Sequence, residues 1–173
     1  PGTIGGALAM NAGCHGGETW SHVFAVELID RQGKLSVVPH SEFVYGYRHV
    51  ILPEDHWFVA GHFSLEPGDK VSSLQKIREL LDYRSATQPI NEPSAGSTFR
   101  NPPGDYAARL IEVSGLKGYK MGGACVSSKH ANFIVNEGSA SARDIEQLIY
   151  YVQAEVKRQQ NVELILEVKI IGE

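Results

Sequence analysis

Cysteine, long apolar runs and an excess of basic charge are all scarce in this chain of 173 residues, and each shortage excludes a class of protein. The two cysteines, Cys14 and Cys125, have no CxxC pairing, so we expect buried small side chains and neither a disulfide nor a metal site. No apolar stretch approaches the ~20 residues that span a bilayer. The net charge is −4 and the 16 Lys and Arg residues are scattered, which argues against partners such as nucleic acid or a membrane surface.

The length fits one large or two small domains with a real hydrophobic core. Pro1 opens the chain inside a motif, without an initiator Met or a leading strand. We therefore expect the C-terminal portion of a longer protein. No signal peptide is visible, and we expect a cytoplasmic location.

A glycine-rich run, PGTIGGALAMNAGCHG at residues 1–16, is the first candidate binding segment. Its early glycines permit backbone conformations closed to other residues and let a ligand approach the main chain. Thr3 can cap a short helix, and the N–H groups at such a helix start favour an anion. The spacing is not that of the dinucleotide fingerprint. A phosphate-binding loop and a glycine-rich turn that packs on a neighbour both remain open.

The first part of the chain, residues 22–65, has the pattern of strands. VFAVELID and KLSVVP flank a turn at residues 31–33, and HWFVAGHFSL follows after a short helix. After the Pro67-Gly68 break, Asp69 is placed to cap a helix that runs to about Tyr83 and connects two domains. The apolar stripe of that helix comprises Val71, Leu74, Ile77, Leu80 and Leu81.

The second part mixes loops, helices and strands. We predict a short helix at 107–113, a strand at 132–136, and a helix after the capping-box pattern of Ser141 and Asp144. That helix has a stripe of Ile145, Leu148, Ile149, Val152 and Val156. VELILEVKII at 162–171 alternates as a strand does, which places Glu167 on the face away from Leu164 and Leu166.

The densest cluster of polar residues is SAGSTFRNP at 94–102. Small neighbours leave the Ser97 hydroxyl accessible, Arg100 can face an anion, and Asn101 offers a donor and an acceptor. No GxSxG elbow and no triad partners are evident, so Ser97 is a candidate proton donor or ligand, not a hydrolase nucleophile. An ordinary serine-rich loop remains the alternative.

Several motifs occur together and in order: PGTIGGALAMNAG, YGYR at 45–48, Gln88-Pro89, SAGSTFRNP, LIEVSGLKGYKMGGACVSSKHANFIVN and LILEVKIIG. In this order they resemble the UDP-N-acetylenolpyruvoylglucosamine reductase family of bacterial cell-wall synthesis, over essentially the whole chain. The resemblance implies an α+β chain: the C-terminal part of a vanillyl-alcohol-oxidase (PCMH-type) FAD-binding domain, then a small α+β substrate-binding domain. It further implies that the family's N-terminal FAD-binding subdomain is missing from this chain.

The domain ranges that the resemblance implies are four. Residues 1–69 form the second part of the FAD-binding domain and 70–83 the connector helix. Residues 84–160 form the substrate-binding domain, and 161–173 form a returning strand that carries Glu167.

The resemblance implies an FAD enzyme that uses NADPH to reduce UDP-N-acetylglucosamine enolpyruvate to UDP-N-acetylmuramate. It places the chain in peptidoglycan synthesis, hence in cell shape and division, as a bacterial cytoplasmic monomer. Ser97 matches the family's proton donor, Arg48 the arginine that holds the substrate carboxylate, and Glu167 the glutamate beside it. A guanidinium suits a carboxylate on which charge grows, and a positioned hydroxyl can protonate a strongly basic carbon.

The resemblance also implies binding residues. Predicted flavin contacts are Gly2, Thr3, Gly5, Gly6, Ala7, Asn11, Ala12 and Gly13. Predicted substrate contacts are Tyr47, Arg84, Arg100, Asn101, Lys120, His130 and Asn132. Asn11 could instead only fix a turn, and His130 could instead only pack. Two positions depart from the family pattern: Val50 replaces a usual hydroxyl residue, and His62 stands where small residues are usual.

Two other functions stay open at this stage. A flavin oxidase of the same fold would react quickly with oxygen, and SAGSTFRNP argues against it. A degenerate UDP-sugar-binding fragment without flavin would be colourless.

Overall fold

The computed structural model describes residues 2–172, and its helices and strands form two compact units, Pro1–Leu74 and Gln75–Glu173. This mixture confirms the expected α+β class. Pro1 and Glu173, the ends of the predicted ranges 1–69 and 161–173, lie outside the described residues. The division between the units falls inside the predicted connector helix, and the four predicted domain ranges stay predictions.

The first unit is built on a three-stranded antiparallel sheet with the order β4-β3-β7. Its predicted hairpin is confirmed, because Ile29 pairs with Leu35 across the turn and Gly33 has the positive φ of 80° that this turn requires. Two-stranded hairpins join β1 to β2 and β5 to β6. The elements are α1 (Ile4–Met10), β1 (Gly13–Cys14), β2 (Gly17–Glu18), β3 (Val23–Asp30), β4 (Leu35–Pro39), β5 (Tyr45–Gly46), β6 (His49–Val50) and β7 (His56–Phe63).

Trp20 centres the core of the first unit. It is 1% exposed, packs against Phe43 and Phe58, and donates its indole N–H to the Leu8 carbonyl over 2.8 Å. Burying such a ring contributes about 2–3 kcal/mol, and the hydrogen bond removes the cost of an unpaired indole N–H. Helix α1 is thereby fixed against the sheet, which places the glycine-rich run at the edge of this core.

Helix α2 (Lys70–Thr87) begins at the predicted Asp69 cap, whose carboxylate accepts from the Ser72 N–H over 2.8 Å. It ends beyond the predicted Tyr83. None of its residues is buried, and Val71 in its apolar stripe is 74% exposed. The helix is therefore stabilised locally, by its cap and by side-chain pairs such as Gln75 with Glu79.

The second unit packs two helices against a four-stranded antiparallel sheet with the order β8-β11-β10-β9. The predicted helix at 107–113 and the predicted capping box are confirmed: Asp144 N–H binds the Ser141 hydroxyl, and the Asp144 carboxylate accepts from Ser141 N–H. Helix α4 buries four of the five predicted apolar residues and packs on β9, β10 and β11. The elements are β8 (Ser94–Ser97), α3 (Ala107–Val113), β9 (Lys120–Met121), β10 (Ala124–Val126), β11 (Phe133–Asn136) and α4 (Ala142–Gln160).

The C-terminal segment differs from the predicted strand at 162–171. It alternates in burial, with Leu164 at 1% and Ile165 at 63% exposure, but it pairs only through an isolated antiparallel bridge between Leu166 and Phe99. The alternating pattern reflects one buried apolar side of the segment. A regular strand also needs a partner strand of several residues, and here only Phe99, just beyond the end of β8, pairs with the segment. The prediction of a regular returning strand is corrected to an extended segment.

The two cysteines are both free, but only one is buried. Cys125 lies in the buried strand β10, and burial raises the pKa of its thiol. Cys14 is exposed, against the prediction, because the β1–β2 hairpin lies at the surface. Within residues 2–172, no helix has the length and apolar character needed to cross a membrane.

Candidate functional site

The glycine-rich run contains α1, and the predicted short helix with a Thr3 cap is confirmed. The Thr3 hydroxyl accepts from the Gly6 N–H over 3.0 Å and caps the helix. Ile4 and Gly5 lie in the first turn of α1, where backbone N–H groups have no acceptor inside the helix. Gly2 and Thr3 are exposed, which leaves this helix start accessible to an anion.

Gly13 and Gly5 in the glycine-rich run differ in whether the fold leaves room for a side chain. A Cβ on Gly13 would lie 2.3 Å from the Gly17 carbonyl oxygen, so the β1–β2 hairpin itself requires Gly13. A Cβ on Gly5 would meet its nearest atom, the Phe58 carbonyl oxygen, at an ordinary 3.6 Å. The fold therefore does not require Gly5, and Gly5 as a flavin contact stays a prediction.

Asn11 is fully buried and fixes the turn that follows α1. Its amide donates to Glu18 over 2.9 Å and to the Gly46 carbonyl over 3.0 Å, and its oxygen accepts from Trp20 N–H over 3.1 Å. Its φ of 46° is the left-handed conformation that ends a helix. The structure thus gives Asn11 the turn-fixing role that the sequence left open, and a flavin contact stays a prediction.

Arg48 lies in the tight turn between β5 and β6, with a φ of 54°. Its guanidinium donates to the Gly13 carbonyl over 2.7 Å and to the Asn11 carbonyl over 3.3 Å. It also lies over the Tyr47 ring, 5.1 Å from the centroid. The structure thus brings Arg48 and Tyr47 together with the predicted flavin residues of the first unit.

In the second unit, Ser97 is the last residue of β8, and the chain continues through the buried Thr98 and Phe99 to Arg100. We call residues 97–100 the Ser97 segment. Its Thr98 carbonyl accepts from the Glu167 N–H over 2.9 Å. The structure thus brings the predicted catalytic residues Ser97 and Glu167 onto directly hydrogen-bonded stretches of backbone.

Arg100 and Asn101 follow. The Arg100 N–H donates to the Ile165 carbonyl over 2.8 Å, and its buried Nε atom has no hydrogen-bond partner among residues 2–172. The Asn101 side chain accepts from the Ala107 N–H over 3.1 Å at the start of α3. Both side chains remain predicted substrate contacts, and the orphaned Nε of Arg100 is a donor that a ligand could satisfy.

A cavity of about 550 Å³ lies beside β8, in the size range of small-molecule sites. It is lined by Arg84, Gln88, Ser94 and Gly96, among others. The Arg84 guanidinium donates to the Gln88 side chain over 3.1 Å. Gln88 lies in the Gln88-Pro89 motif but was not among the predicted substrate contacts.

Lys120, another predicted substrate contact, forms a salt bridge with Glu137. The Lys120 Nζ and Glu137 Oε2 atoms are 2.7 Å apart, and this hydrogen bond raises the pKa of Lys120 and lowers that of Glu137. Both side chains are largely exposed. Lys120 as a substrate contact stays a prediction.

His130 and Asn132 lie immediately before β11. The His130 ring packs edge-on against Phe133 with centroids 4.9 Å apart, and its Nδ1 accepts from the Asn132 N–H over 3.3 Å. Burial lowers the pKa of His130 below its usual value. Asn132 is 4% exposed, and its side chain hydrogen-bonds to the backbone of Phe99.

We expect the stability of the second unit to fall as the pH drops below about 6.5, the unfolded pKa of histidine. His130 is the only histidine between residues 75 and 173. Its folded pKa is lowered, by burial first and also by Lys117 against the opposing charge of Glu112. The unfolded chain therefore binds the proton more readily than the folded chain. The contribution of neutral His130 to stability is complete above the unfolded pKa of about 6.5 and is lost as the pH falls below it.

Urea unfolding followed by amide NMR signals of α4 measures this effect. His130→Gln should flatten the pH dependence in that window. An equal slope in the variant would show that His130 does not carry it.

Comparisons with known proteins show what this chain is similar to. The model of "UDP-N-acetylenolpyruvoylglucosamine reductase, C-terminal domain" matches residues 88–171. UDP-N-acetylenolpyruvoylglucosamine reductase of Thiobacillus denitrificans is 57% identical over 100% of this chain and 54% of its own length. That of Legionella pneumophila (strain Corby) is 56% identical over 100% of this chain and 56% of its own length.

A solved structure is also similar to this chain. The crystal structure of UDP-N-acetylenolpyruvylglucosamine reductase from Thermus caldophilus matches with a TM-score of 0.84 and 37% identity, over 96% of this chain and 59% of that one. The chain therefore spans about half the length of the curated relatives that it matches.

Proposed function

We propose that this chain, which belongs to the UDP-N-acetylenolpyruvoylglucosamine reductase family, takes part in the NADPH-dependent reduction of UDP-N-acetylglucosamine enolpyruvate to UDP-N-acetylmuramate. The proposal is supported by the backbone hydrogen bond from the Glu167 N–H to the Thr98 carbonyl, which joins the stretches of chain that carry Ser97 and Glu167 in the second unit. In the protonation half of this reaction the Ser97 hydroxyl would act as the proton donor and the Glu167 carboxylate would assist it.

The residues of the first unit fit FAD as the cofactor. The exposed start of α1 offers N–H groups to a pyrophosphate, and Gly5 leaves its backbone open to close approach. Bound FAD would take a hydride from NADPH and deliver it to the enolpyruvyl double bond. The residues proposed to hold it are Gly2, Thr3, Gly5, Gly6, Ala7, Ala12 and Gly13, with Asn11 supporting the turn.

The chain's own side chains supply the rest of the chemistry. The Ser97 hydroxyl donates a proton to the carbon next to the substrate carboxylate. A serine is a weak acid, so its contribution depends on position, and the buried residues that follow it hold it in place. The Arg48 guanidinium binds the carboxylate, and Glu167 orients Ser97 or a water molecule.

The UDP-sugar would be held by the second unit, in the cavity beside β8. Arg84 lines that cavity. Arg100 does not line it and is proposed as a contact because its buried Nε has no hydrogen-bond partner among residues 2–172. We propose Tyr47, Asn101, Lys120 and His130 as further contacts. The domain ranges 1–69, 70–83 and 84–160, a monomeric state, a bacterial cytoplasmic location and a contribution to cell shape and division complete the proposal.

The test protein is a chimera in which this chain replaces the matching 54% of the Thiobacillus denitrificans relative. It should restore growth to bacteria depleted of their own reductase. Lysis on depletion despite a yellow, oxygen-reactive protein would favour a flavin oxidase. Lysis with a colourless protein would favour a non-catalytic UDP-sugar-binding fragment.

We expect Gly5→Ala to weaken FAD binding to the chimera by about tenfold or more, which corresponds to about 1.4 kcal/mol. The methyl group would occupy the space through which the ligand approaches the backbone. The fold tolerates it, because it would lie 3.6 Å from the Phe58 carbonyl oxygen. Alanine in a helix should even stabilise the chain slightly.

Flavin titration and thermal unfolding measure the two effects separately. Gly17→Ala is the matched control, because its Cβ would also make only an ordinary contact, at 3.7 Å, outside the predicted flavin residues. Wild-type affinity in Gly5→Ala would place the flavin elsewhere.

A further inference from the structure

Asn132 reaches across 33 positions in sequence to the Ser97 segment. Its side-chain oxygen accepts from the Phe99 N–H over 3.0 Å, and its side-chain nitrogen donates to the Phe99 carbonyl over 2.8 Å. Its backbone carbonyl accepts from the Thr98 N–H over 2.8 Å. Three hydrogen bonds from one residue therefore fix two consecutive residues that follow Ser97.

This arrangement continues a strand pair where the strands themselves stop. Ser97 pairs with Phe133 at the last position of β8, and Asn132 is the residue before Phe133. Beyond the last pair of β8 and β11, the Asn132 side-chain amide replaces a backbone peptide group as the partner of Phe99. It supplies one donor and one acceptor, as a peptide group would. The Ser97 segment can thus leave the sheet while its backbone groups stay paired.

The other edge of the segment carries Glu167. The Thr98 carbonyl accepts from the Glu167 N–H, and the Arg100 N–H donates to Ile165 over 2.8 Å. Asn132 therefore binds Thr98 and Phe99, and the extended segment around Glu167 binds Thr98 and Arg100, so both contribute to holding the Ser97 segment.

We propose that Asn132 is a positioning residue that sets the location of the Ser97 hydroxyl through the backbone of Thr98 and Phe99, without touching the substrate. The inference rests on the proposed function. It replaces the sequence-based assignment of Asn132 as a substrate contact, because Asn132 is 4% exposed and both its amide atoms bind Phe99. Because a serine donor depends on its position, a residue that sets this position should affect the rate of the protonation step.

The kinetic test is a double-mutant cycle in the chimera. Asn132→Ala should lower kcat for UDP-N-acetylglucosamine enolpyruvate by about 10–10²-fold, with KM changed by less than about threefold. In the Ser97→Ala background the same change should cost less than about threefold, because there is no donor left to misplace.

Two further variants guard against a trivial loss of folding. Asn132→Asp keeps the shape and the acceptor but loses the donor to Phe99, so its kcat should fall in between. Asn136→Ala is the matched control, since Asn136 lies at the other end of β11 and accepts from Gly138 and Ala140. Its effect on kcat should be small and equal in both backgrounds.

Hydrogen exchange in the 173-residue chain provides a readout besides activity. Asn132→Ala should speed exchange at the Phe99 amide and leave the Val126 amide, which donates to Tyr119, unchanged. Unchanged exchange at Phe99 would overturn the positioning contact.

Two kinetic outcomes would also overturn the inference. Equal losses in both backgrounds would mean that Asn132 acts independently of Ser97. A rise in KM with unchanged kcat would make Asn132 a substrate contact. An unsubstituted chimera without reductase activity would overturn the proposed function and the catalytic role together, while the exchange result still decides whether Asn132 fixes the segment.

Discussion

Ser97→Ala in the chimera is expected to lower substrate-dependent NADPH consumption by about 10²–10⁴-fold, the contribution of a positioned proton donor. Hydride and proton go to neighbouring carbons, so the reduction cannot finish without the proton. Water would have to replace a hydroxyl that the buried Thr98 and Phe99 hold in place. Ser97→Cys should retain part of the activity, because a thiol can still donate a proton.

The control for Ser97 is NADPH oxidation with oxygen as acceptor, measured without substrate. This activity does not require protonation of the enolpyruvyl group, and it should stay within about twofold of the unsubstituted chimera, a difference of about 0.4 kcal/mol. Substrate reduction at the unsubstituted rate in Ser97→Ala would make Ser97 only a loop residue.

Arg48→Lys is expected to give the second-largest loss, at least about tenfold in kcat/KM for the substrate. Lysine keeps the charge but loses the planar group that binds two carboxylate oxygens at once. It also loses the pair of hydrogen bonds to the carbonyls of Asn11 and Gly13. Steady-state kinetics with the substrate varied at saturating NADPH measure the loss.

The same two hydrogen bonds supply the competing explanation for Arg48. If they matter only because they fix the flavin segment, Arg48→Lys should slow oxygen-dependent NADPH oxidation and substrate reduction equally. A selective loss of substrate reduction supports carboxylate binding. Equal losses would assign Arg48 to the flavin site or the fold.

Local sequence signals predicted much of the fold correctly. The Thr3 cap, the β3–β4 hairpin and the Ser141–Asp144 capping box each depend on residues within a few positions of one another. Helix α3 was predicted with its bounds of Ala107 and Val113 for the same reason. Such elements are readable because the groups that stabilise them are neighbours in the chain.

Features that depend on distant partners were not predictable in this way. The alternation at 162–171 was real, but pairing required a partner strand that Phe99 alone does not provide. The role of Asn132 depends on Phe99, which lies 33 positions away in the sequence. The sequence shows that Asn132 is polar, but only the fold shows which atoms it binds.

We expect this chain, in the chimera, to support reduction of the enolpyruvyl group. The most direct measurement mixes the chimera with NADPH and UDP-N-acetylglucosamine enolpyruvate under anaerobic conditions and follows the nucleotide sugar by mass spectrometry. We expect conversion to a product heavier by two hydrogens, UDP-N-acetylmuramate, with one NADPH consumed per product, and loss of this conversion in Ser97→Ala. An unchanged nucleotide sugar in a chimera that binds FAD and still oxidises NADPH with oxygen would contradict it.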